Sequence, residues 1–180
     1  MQLPKLAQIT DDIIALDKAN MAPLLTHYGH QFDEVFVRKD ITRHHPDLKN
    51  VIYCYDQHVL QGYFRFSIDS NGHILVRSLQ LKQSASKRTL LQLLFLACSL
   101  LQTDRIPDHT AIYAIANNFN TRSICFQQKL GFTYDAGDQH YCRYKTTKAA
   151  LTKQLLQRNI SRFSTATPAP AIHPNYPVQP

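Results

Sequence analysis

The stretch that decides the fold runs from His73 to Phe132, and it reads HILVRSLQLKQSASKRTLLQLLFLACSLLQTDRIPDHTAIYAIANNFNTRSICFQQKLGF. It predicts a strand, a short polar turn, a helix that is apolar nearly all round, a buried strand and a second helix. These elements lie over residues 74–81, 83–86, 89–102, 110–116 and 120–129. Gly131 suits the end of the second helix, where a positive φ costs a glycine nothing. The strand–helix–strand order predicts a crossover between parallel strands, with the apolar helix packed against the sheet.

The segments on either side of this stretch extend the sheet. A first strand is predicted over residues 6–10, and Asp11 and Asp12 then suit a helix N-terminus, where carboxylates meet unpaired amides. Pro23 is expected to break or restart that helix. Asn71-Gly72 predicts a β-hairpin with a type I′ turn, since both residues accept positive φ angles. The remaining elements are a second helix, two strands, a final hairpin and a terminal helix, over residues 32–41, 51–55, 59–68, 132–146 and 148–160. Together they predict an α/β fold with a mixed central sheet and helices on both faces.

The length of 180 residues predicts one domain, which we place over residues 1–147. An amphipathic helix over residues 148–163 is appended to it. That helix could pack on its own domain or on a second subunit, which would make the protein a homodimer. Residues 164–180 contain five of the nine prolines and no Lys, Arg, Asp or Glu, so we expect a Pro-rich tail.

Composition indicates the charge of the expected ligands and the cellular location of the protein. The net charge of +7 favours anionic ligands, but the Lys and Arg residues are scattered, which disfavours a nucleic-acid partner. The four cysteines form no CxxC pair, so we expect buried free thiols and no metal site. The most apolar run, residues 90–101, is too short to span a bilayer, and the N-terminus has no secretory signal pattern. A soluble cytoplasmic protein is expected.

The segment from Asn120 to Phe132 reads Asn-Thr-Arg-Ser-Ile-Cys-Phe-Gln-Gln-Lys-Leu-Gly-Phe. It resembles the last motif of the GNAT N-acetyltransferase family, which has an Asn, a small residue three positions later, an apolar-aromatic pair and a closing Lys-Leu-Gly-Phe. The matching residues are Asn120, Ser123, Phe126, Lys129, Leu130, Gly131 and Phe132. The strand, turn, apolar helix and strand before the motif also have the family's order. The resemblance implies a GNAT-type acyl-CoA N-acyltransferase fold, although a capped helix with a buried apolar side would explain the same residues without a function.

The polar turn is where this sequence departs from the family. In GNAT enzymes the turn after the equivalent strand carries Gln/Arg-x-x-Gly-x-Gly/Ala, and its amides, with the following helix N-terminus, hold the pyrophosphate of coenzyme A. Here residues 83–88 contain no glycine. They are either a degenerate version of that turn, or a turn in which Ser86 caps the helix while Lys87 and Arg88 are solvated.

The resemblance implies acetyl-CoA, or another acyl-CoA, as co-substrate. It would lie between the strands predicted over residues 74–81 and 110–116, with its carbonyl bonded to backbone near Leu79 or Leu81. The implied cofactor-binding residues are Leu79, Leu81, Ser84, Ala85, Ser86, Lys87, Arg88, Thr89, Asn120 and Ser123.

Gln127 stands where many GNAT enzymes have the Tyr that protonates the departing thiolate. An amide cannot be a general acid at neutral pH, and general acid catalysis is worth about 10²–10⁴-fold. A thiol pKa of about 8.5 nevertheless makes thiolate a tolerable leaving group. The sequence therefore allows a slow enzyme, an enzyme with a different acid, or a non-catalytic relative.

The acceptor cleft in the family is bordered by the loop between the first two helices and by the last hairpin. Our hypothesis is that Glu34, Asp135 or Asp138 meets an acceptor ammonium group, while His30 or His140 relays its proton, because a His pKa of about 6.5 suits that task. The candidate catalytic residues are accordingly His30, Glu34 and His140. The simpler explanation is that all of them are exposed loop residues without a chemical role.

The implied reaction is transfer of an acyl group, most simply acetyl, from coenzyme A to a primary amine of a small molecule or peptide. The amine would attack the thioester directly in a ternary complex. A non-catalytic GNAT-fold module that binds a partner or ligand is the alternative, and it is favoured by the glycine-free turn and by Gln127.

Overall fold

A computed structural model describes residues 5–102 and 106–157 of the chain. Within them lie five helices: α1 (Leu6–His27), α2 (Glu34–His44), α3 (Lys87–Leu101), α4 (Thr121–Lys129) and α5 (Lys148–Gln157). The six strands of the same residues are β1 (Val51–Asp56), β2 (Val59–Ile68), β3 (Ile74–Leu81), β4 (Ala111–Asn117), β5 (Thr133–Gly137) and β6 (Tyr141–Thr147). They form a sheet in the order β1-β2-β3-β4-β6-β5. β3 and β4 are parallel, whereas the pairs β1–β2, β4–β6 and β5–β6 are antiparallel, so the predicted mixed α/β sheet is confirmed.

The described chain divides into two compact units, whose boundaries fall inside β2, β3 and α3. The first unit contains residues 5–65 and 78–93, and the second contains residues 66–77, 94–102 and 106–157. One domain over residues 1–147 stays a prediction. The predicted Pro-rich tail lies outside the described residues, as does the end of the helix predicted over residues 148–163.

The first unit has its apolar core among α1, α2, β1 and β2. The core residues are Ile9, Ile13, Ile14, Leu16, Ile41, Leu48, Val51, Leu60 and Tyr63. The strand predicted over residues 6–10 is wrong, because these residues open α1. Ile9 and Ile13 recur at helical spacing and are both buried, and this period favours a helix over a strand.

The break predicted at Pro23 is also wrong, since α1 continues through it to His27. A proline inside a helix removes the hydrogen bond to the carbonyl four residues earlier, here that of Ala19. Both residues are exposed, so water can take the place of the missing donor. The buried face of α1 supplies the stabilisation that local propensity lacks.

A polar cluster is buried in the first unit. The hydroxyl of Tyr63, which is fully buried, donates to Asp17 Oδ1 and lies 3.0 Å from Ser78 Oγ. Arg65 Nη1 donates to Asp40 Oδ2 at 2.8 Å. Burial raises the pKa of Asp17 and, more strongly, that of Tyr63, so the phenol keeps its proton and serves as the donor to Asp17.

The hairpin predicted between β2 and β3 is confirmed, but the predicted type I′ turn is wrong. Gly72 has a φ of +78°, whereas Asn71 lies outside the left-handed region. The amide of Gly72 donates to the carbonyl of Asp69, and the Asp69 carboxylate accepts from the Asn71 amide. This is a type I turn closed by a left-handed glycine. A turn with two positive φ angles occurs instead at Gln57 and His58, between β1 and β2.

In the second unit β4 pairs with β6 along its whole length. Burial alternates along β6, so its even-numbered residues are buried and Tyr141, Arg143 and Lys145 are exposed. On α5, which contacts β6, Leu151 and Leu155 are buried and Leu156 is about half exposed. Packing within its own unit thus uses two of the three leucines, and the homodimer stays a prediction.

The described cysteines are all free thiols. Cys54, Cys98 and Cys142 are buried as predicted, whereas Cys125, on α4, is exposed. Burial raises the pKa of Cys54 and Cys98, which keeps both thiols protonated and inert.

Candidate cofactor and acceptor sites

Ser86, in the turn that precedes α3, caps the N-terminus of that helix. The Thr89 amide donates to the Ser86 carbonyl at 3.0 Å and to Ser86 Oγ at 3.3 Å, as expected for an N-cap residue. The turn itself is closed by the Ala85 amide, which donates to the Lys82 carbonyl at 2.9 Å. Lys87, in the first turn of α3, is exposed, as is Arg88 beside it. Ser86 therefore caps α3, and the side chains of Lys87 and Arg88 are exposed to solvent, as in the second of the two alternatives for this turn.

Capping by Ser86 leaves several amides of this turn unused. In the part of the chain that the structure describes, the backbone amides of Ser84, Ser86, Lys87 and Arg88 have no hydrogen-bond acceptor within the protein. All four residues are exposed. Free amides at a helix N-terminus, next to two positive charges, form a surface that favours an anion. A glycine is thus not needed to present amides here.

The end of β3 is anchored on α1. Asn20 Nδ2 donates to the Leu81 carbonyl at 2.9 Å and to Gln80 Oε1 at 3.0 Å. The Lys82 amide donates to the Gln61 carbonyl at 2.8 Å, which fixes the strand to β2. The carbonyl of Leu81 thus already accepts a hydrogen bond from α1. Sequence reasoning missed Asn20, because nothing in its local pattern marks a contact with a strand some sixty residues later.

The last family motif builds α4 and its ends. Asn120 Oδ1 caps α4 by accepting from the Ser123 amide at 3.1 Å, which leaves the amide nitrogen of its side chain for other contacts. Gly131 has a φ of +86°, and Leu130 and Phe132 are buried beside it. These residues therefore shape the helix locally, as the purely structural explanation of the motif requires.

Gln127, at the position of the usual Tyr, is buried in α4. Its Nε2 donates to Ser123 Oγ at 3.3 Å, while Oε1 has no partner among the described residues. An unpaired buried amide oxygen is costly to the fold. The side chain can accept a hydrogen bond but cannot supply a proton in catalysis.

The strands β3 and β4 pair only at their first residues. Within the second unit, Ile74–Val76 pairs with Ile112–Ala114, and β4 continues for three residues beyond that ladder. Residues 115–117 of β4 therefore lie beyond this parallel ladder and do not pair with β3 in its register.

Each of the three candidate acceptor carboxylates already has a partner. Glu34 lies 3.4 Å from Lys18 Nζ, and Asp135 Oδ2 lies 2.6 Å from Nη2 of Arg143. Asp138 Oδ1 accepts from the backbone amides of His140 and Tyr141, at 2.7 and 2.8 Å, and these bonds lower the pKa of Asp138. Glu34 and Asp135 are thus already ion-paired, whereas Asp138 stays ionised and is held by the turn.

The two candidate histidines lie in different units. His30 is exposed, with its backbone amide donating to the Leu25 carbonyl. His140 is exposed, with Nε2 lying 3.0 Å from Gln139 Nε2. Their roles, with that of Glu34, stay predictions.

An open groove of about 490 Å³ lies at the final hairpin of the second unit. Its walls are formed by Ile115, Ala136, Gly137, Asp138, Tyr141 and Arg143. The hairpin was predicted to border the acceptor site, but Ile115 and Arg143 were not identified. The alternation of Tyr141, Arg143 and Lys145 with buried residues is the sequence signal that could have identified this exposed face.

Two absences concern the described residues alone. Over residues 5–102 and 106–157, no three or more His, Cys, Asp or Glu side chains are grouped to hold a metal ion. No helix in those same ranges has the length and apolar character needed to cross a membrane.

No family model matches the sequence, and no curated protein matches it significantly. Solved structures do match the fold. A protein from Pyrococcus horikoshii superimposes with a TM-score of 0.61 and 14% identity, covering 82% of this chain and 96% of that one. A GNAT-family acetyltransferase from Bacillus cereus gives 0.53 and 12%, covering 81% and 94%. The PaiA N-acetyltransferase from Thermoplasma acidophilum, solved in complex with coenzyme A, gives 0.54 and 14%, covering 79% and 92%. The chain therefore has the GNAT fold, that of the acetyltransferases it resembles.

Proposed function

We propose that the protein is an acyl-CoA-dependent N-acyltransferase that transfers an acyl group, most simply acetyl, to a primary amine. The observation that carries the proposal is the set of exposed, unpaired amides at the start of α3, flanked by Lys87 and Arg88. In the GNAT fold this turn holds the pyrophosphate of coenzyme A. That a neighbour of the same fold was solved with coenzyme A supports the assignment.

The residues proposed to hold the acyl-CoA follow from this fit. The amides of Ser84, Ser86, Lys87 and Arg88 would bind the pyrophosphate, and the side chains of Lys87 and Arg88 would add charge. Leu79, Leu81, Asn120 and Ser123 are proposed contacts of the rest of the molecule. When bound, the acyl-CoA supplies a thioester carbonyl that an amine can attack.

In the proposed reaction the neutral amine forms a C–N bond to the carbonyl carbon, and the C–S bond breaks. The amine loses one proton, and the thiolate of coenzyme A leaves. With Gln127 unable to protonate it, the thiolate would depart as the anion, which its pKa of about 8.5 permits. His30, Glu34 and His140 are the proposed groups for the amine proton. Unchanged steady-state rates in both His30→Ala and His140→Ala would exclude the two histidines.

The experiment is isothermal titration calorimetry of the full chain with acetyl-CoA. Lys87→Glu/Arg88→Glu should weaken binding at least about tenfold, because losing one charge-assisted contact costs about 1.5–3 kcal/mol. Lys39→Glu/Lys153→Glu is the control, with the same change in net charge at two exposed residues on other helices. Equal weakening in both variants, or no binding by the wild-type protein, would refute the proposed site.

A non-catalytic acyl-CoA-binding module is the second candidate, and the buried amide of Gln127 favours it. The two functions differ in the release of coenzyme A thiol from acetyl-CoA in the presence of primary amines. Saturable acetyl-CoA binding without amine-dependent thiol release would identify the binding module. Amine-dependent release that is lost in Lys87→Glu/Arg88→Glu would identify the enzyme.

A further inference from the structure

An exposed face of the sheet in the second unit gathers aromatic and cationic side chains. Tyr113 pairs with Lys145, and Ile115 pairs with Arg143, so all four side chains lie on one face. The Arg143 guanidinium carbon lies 5.2 Å from the centre of the Tyr113 ring, and Lys145 Nζ lies 5.6 Å from it. The ring of His73 meets the same ring edge-on at 5.5 Å. Two cations thus share one aromatic surface.

The charge on this face is only partly balanced. Asp135 uses a single oxygen, Oδ2, to accept from both Nε and Nη2 of Arg143, at 2.7 and 2.6 Å. The Arg143 side chain is nevertheless 50% exposed. In the described part of the chain, no carboxylate lies within ion-pairing distance of Lys145. One positive charge therefore remains beside a guanidinium that still has donors to offer.

The groove beside these cations has apolar walls, with the carboxylate of Asp138 at the hairpin turn. Ile115 is 60% exposed and Tyr141 is 51% exposed, and both line the groove together with Arg143. A ligand that fits has a small body with an anionic end. The planar guanidinium offers paired donors to a carboxylate or phosphate, and the lysine adds a mobile point charge.

We propose that this face binds an anionic amine: a primary amine that carries a phosphate or carboxylate group, with the anionic group held by Arg143 and Lys145. The body of the ligand lies against Ile115 and Tyr141. That this ligand carries an amine and is the acyl acceptor rests on the proposed function, whereas the binding of its anionic group does not. The carboxylates of the hairpin then hold Arg143 and the turn in place instead of receiving an ammonium group.

The experiment is a ¹H–¹⁵N NMR titration of the full chain with O-phosphoethanolamine, with ethanolamine as the matched ligand that lacks the phosphate. Saturable shifts are expected at residues 113–115 and 141–145, including the Arg143 side-chain Nε, and ethanolamine should not produce them. Absence of saturation at about 10 mM, or shifts only at residues 84–89, would overturn the proposal.

Three variants test the direction in which the affinity for O-phosphoethanolamine should change. Arg143→Gln should weaken binding about tenfold, since it removes a charge-assisted contact. Asp135→Asn should strengthen it about threefold, because it removes the anion that competes for the guanidinium. Lys153→Gln, at an exposed position on α5, should change nothing. Each variant must keep the wild-type spectrum away from this face. Equal affinity in Asp135→Asn, Arg143→Gln and wild type would refute the site.

The outcomes separate this proposal from the transferase proposal. Binding of O-phosphoethanolamine without binding of acetyl-CoA would leave the anion site standing and remove the transferase. Acetylation of amines with no preference for O-phosphoethanolamine over ethanolamine, and no NMR shifts on this face, would support the transferase and refute the anion site.

Discussion

Replacing Tyr63 by Phe removes one hydroxyl from the most buried polar contact of the first unit. The hydroxyl donates to Asp17, which is 5% exposed, and Tyr63 itself is 0% exposed, so water cannot replace it. A hydrogen bond to a charged group contributes about 1.5–3 kcal/mol, and an unsatisfied buried carboxylate adds to the loss. We expect Tyr63→Phe to lower the free energy of unfolding by about 2–3 kcal/mol at pH 7.

Tyr55→Phe is the matched control. The Tyr55 hydroxyl donates to Asp12 Oδ2 at 2.7 Å, so the chemical change and the partner type are the same, but both residues are only partly buried. Water can solvate Asp12 after the change, and we expect a loss of about 0.5 kcal/mol.

Urea unfolding followed by circular dichroism measures both losses. With a urea dependence of about 1–3 kcal/mol per M, the Tyr63→Phe midpoint should fall by about 1 M or more. Its cost should shrink as the pH falls through the raised pKa of Asp17, because the protonated carboxyl leaves no charge unpaired. Equal losses in Tyr63→Phe and Tyr55→Phe, or a Tyr63→Phe cost that grows on acidification, would refute the reasoning.

Three further predictions concern stability. Gly62→Ala should destabilise by about 1–3 kcal/mol in urea unfolding, because its Cβ would lie 2.8 Å from the carbonyl oxygen of Gln80; a neutral result would contradict this close approach. Ser86→Ala should cost about 0.5–1 kcal/mol, since the Thr89 amide loses its 3.3 Å cap, and no loss would mean that the cap is inactive. Burial raises the pKa of Asp17, so its contribution to stability is greatest below the unfolded pKa of about 3.9 and is lost as pH rises through the folded value. Asp17→Asn should therefore gain stability relative to wild type between about pH 4 and neutral pH, and a difference that falls over that range would contradict it.

The sequence predicted those elements whose local pattern and tertiary setting agree. The apolar run of β4, the hairpin before β3 and the glycine that ends α4 each carry a signal within a few residues. The start of α1 was missed because a short apolar segment suits a strand or a helix equally well. Only burial against α2 and β1 decides that Ile9 continues a helix.

The candidate site was predictable in outline but not in detail. Ser86 and Asn120 act as helix caps, which their residue types indicate from sequence. The contact of Asn20 with Leu81 and the convergence of Arg143 on Tyr113 depend on pairing between distant segments. No local pattern contains that information, so only coordinates reveal which polar groups are already engaged.

The most direct test of the cofactor site is a ¹H–¹⁵N NMR titration of the wild-type chain with coenzyme A. Among the residues that the structure describes, the amides of Ser84, Ser86, Lys87 and Arg88 at this turn have no acceptor in the protein. We predict that their signals move downfield and saturate together, because each amide gains a phosphate oxygen as acceptor. Saturable binding that leaves these four signals in place would contradict the account, as would no binding at all.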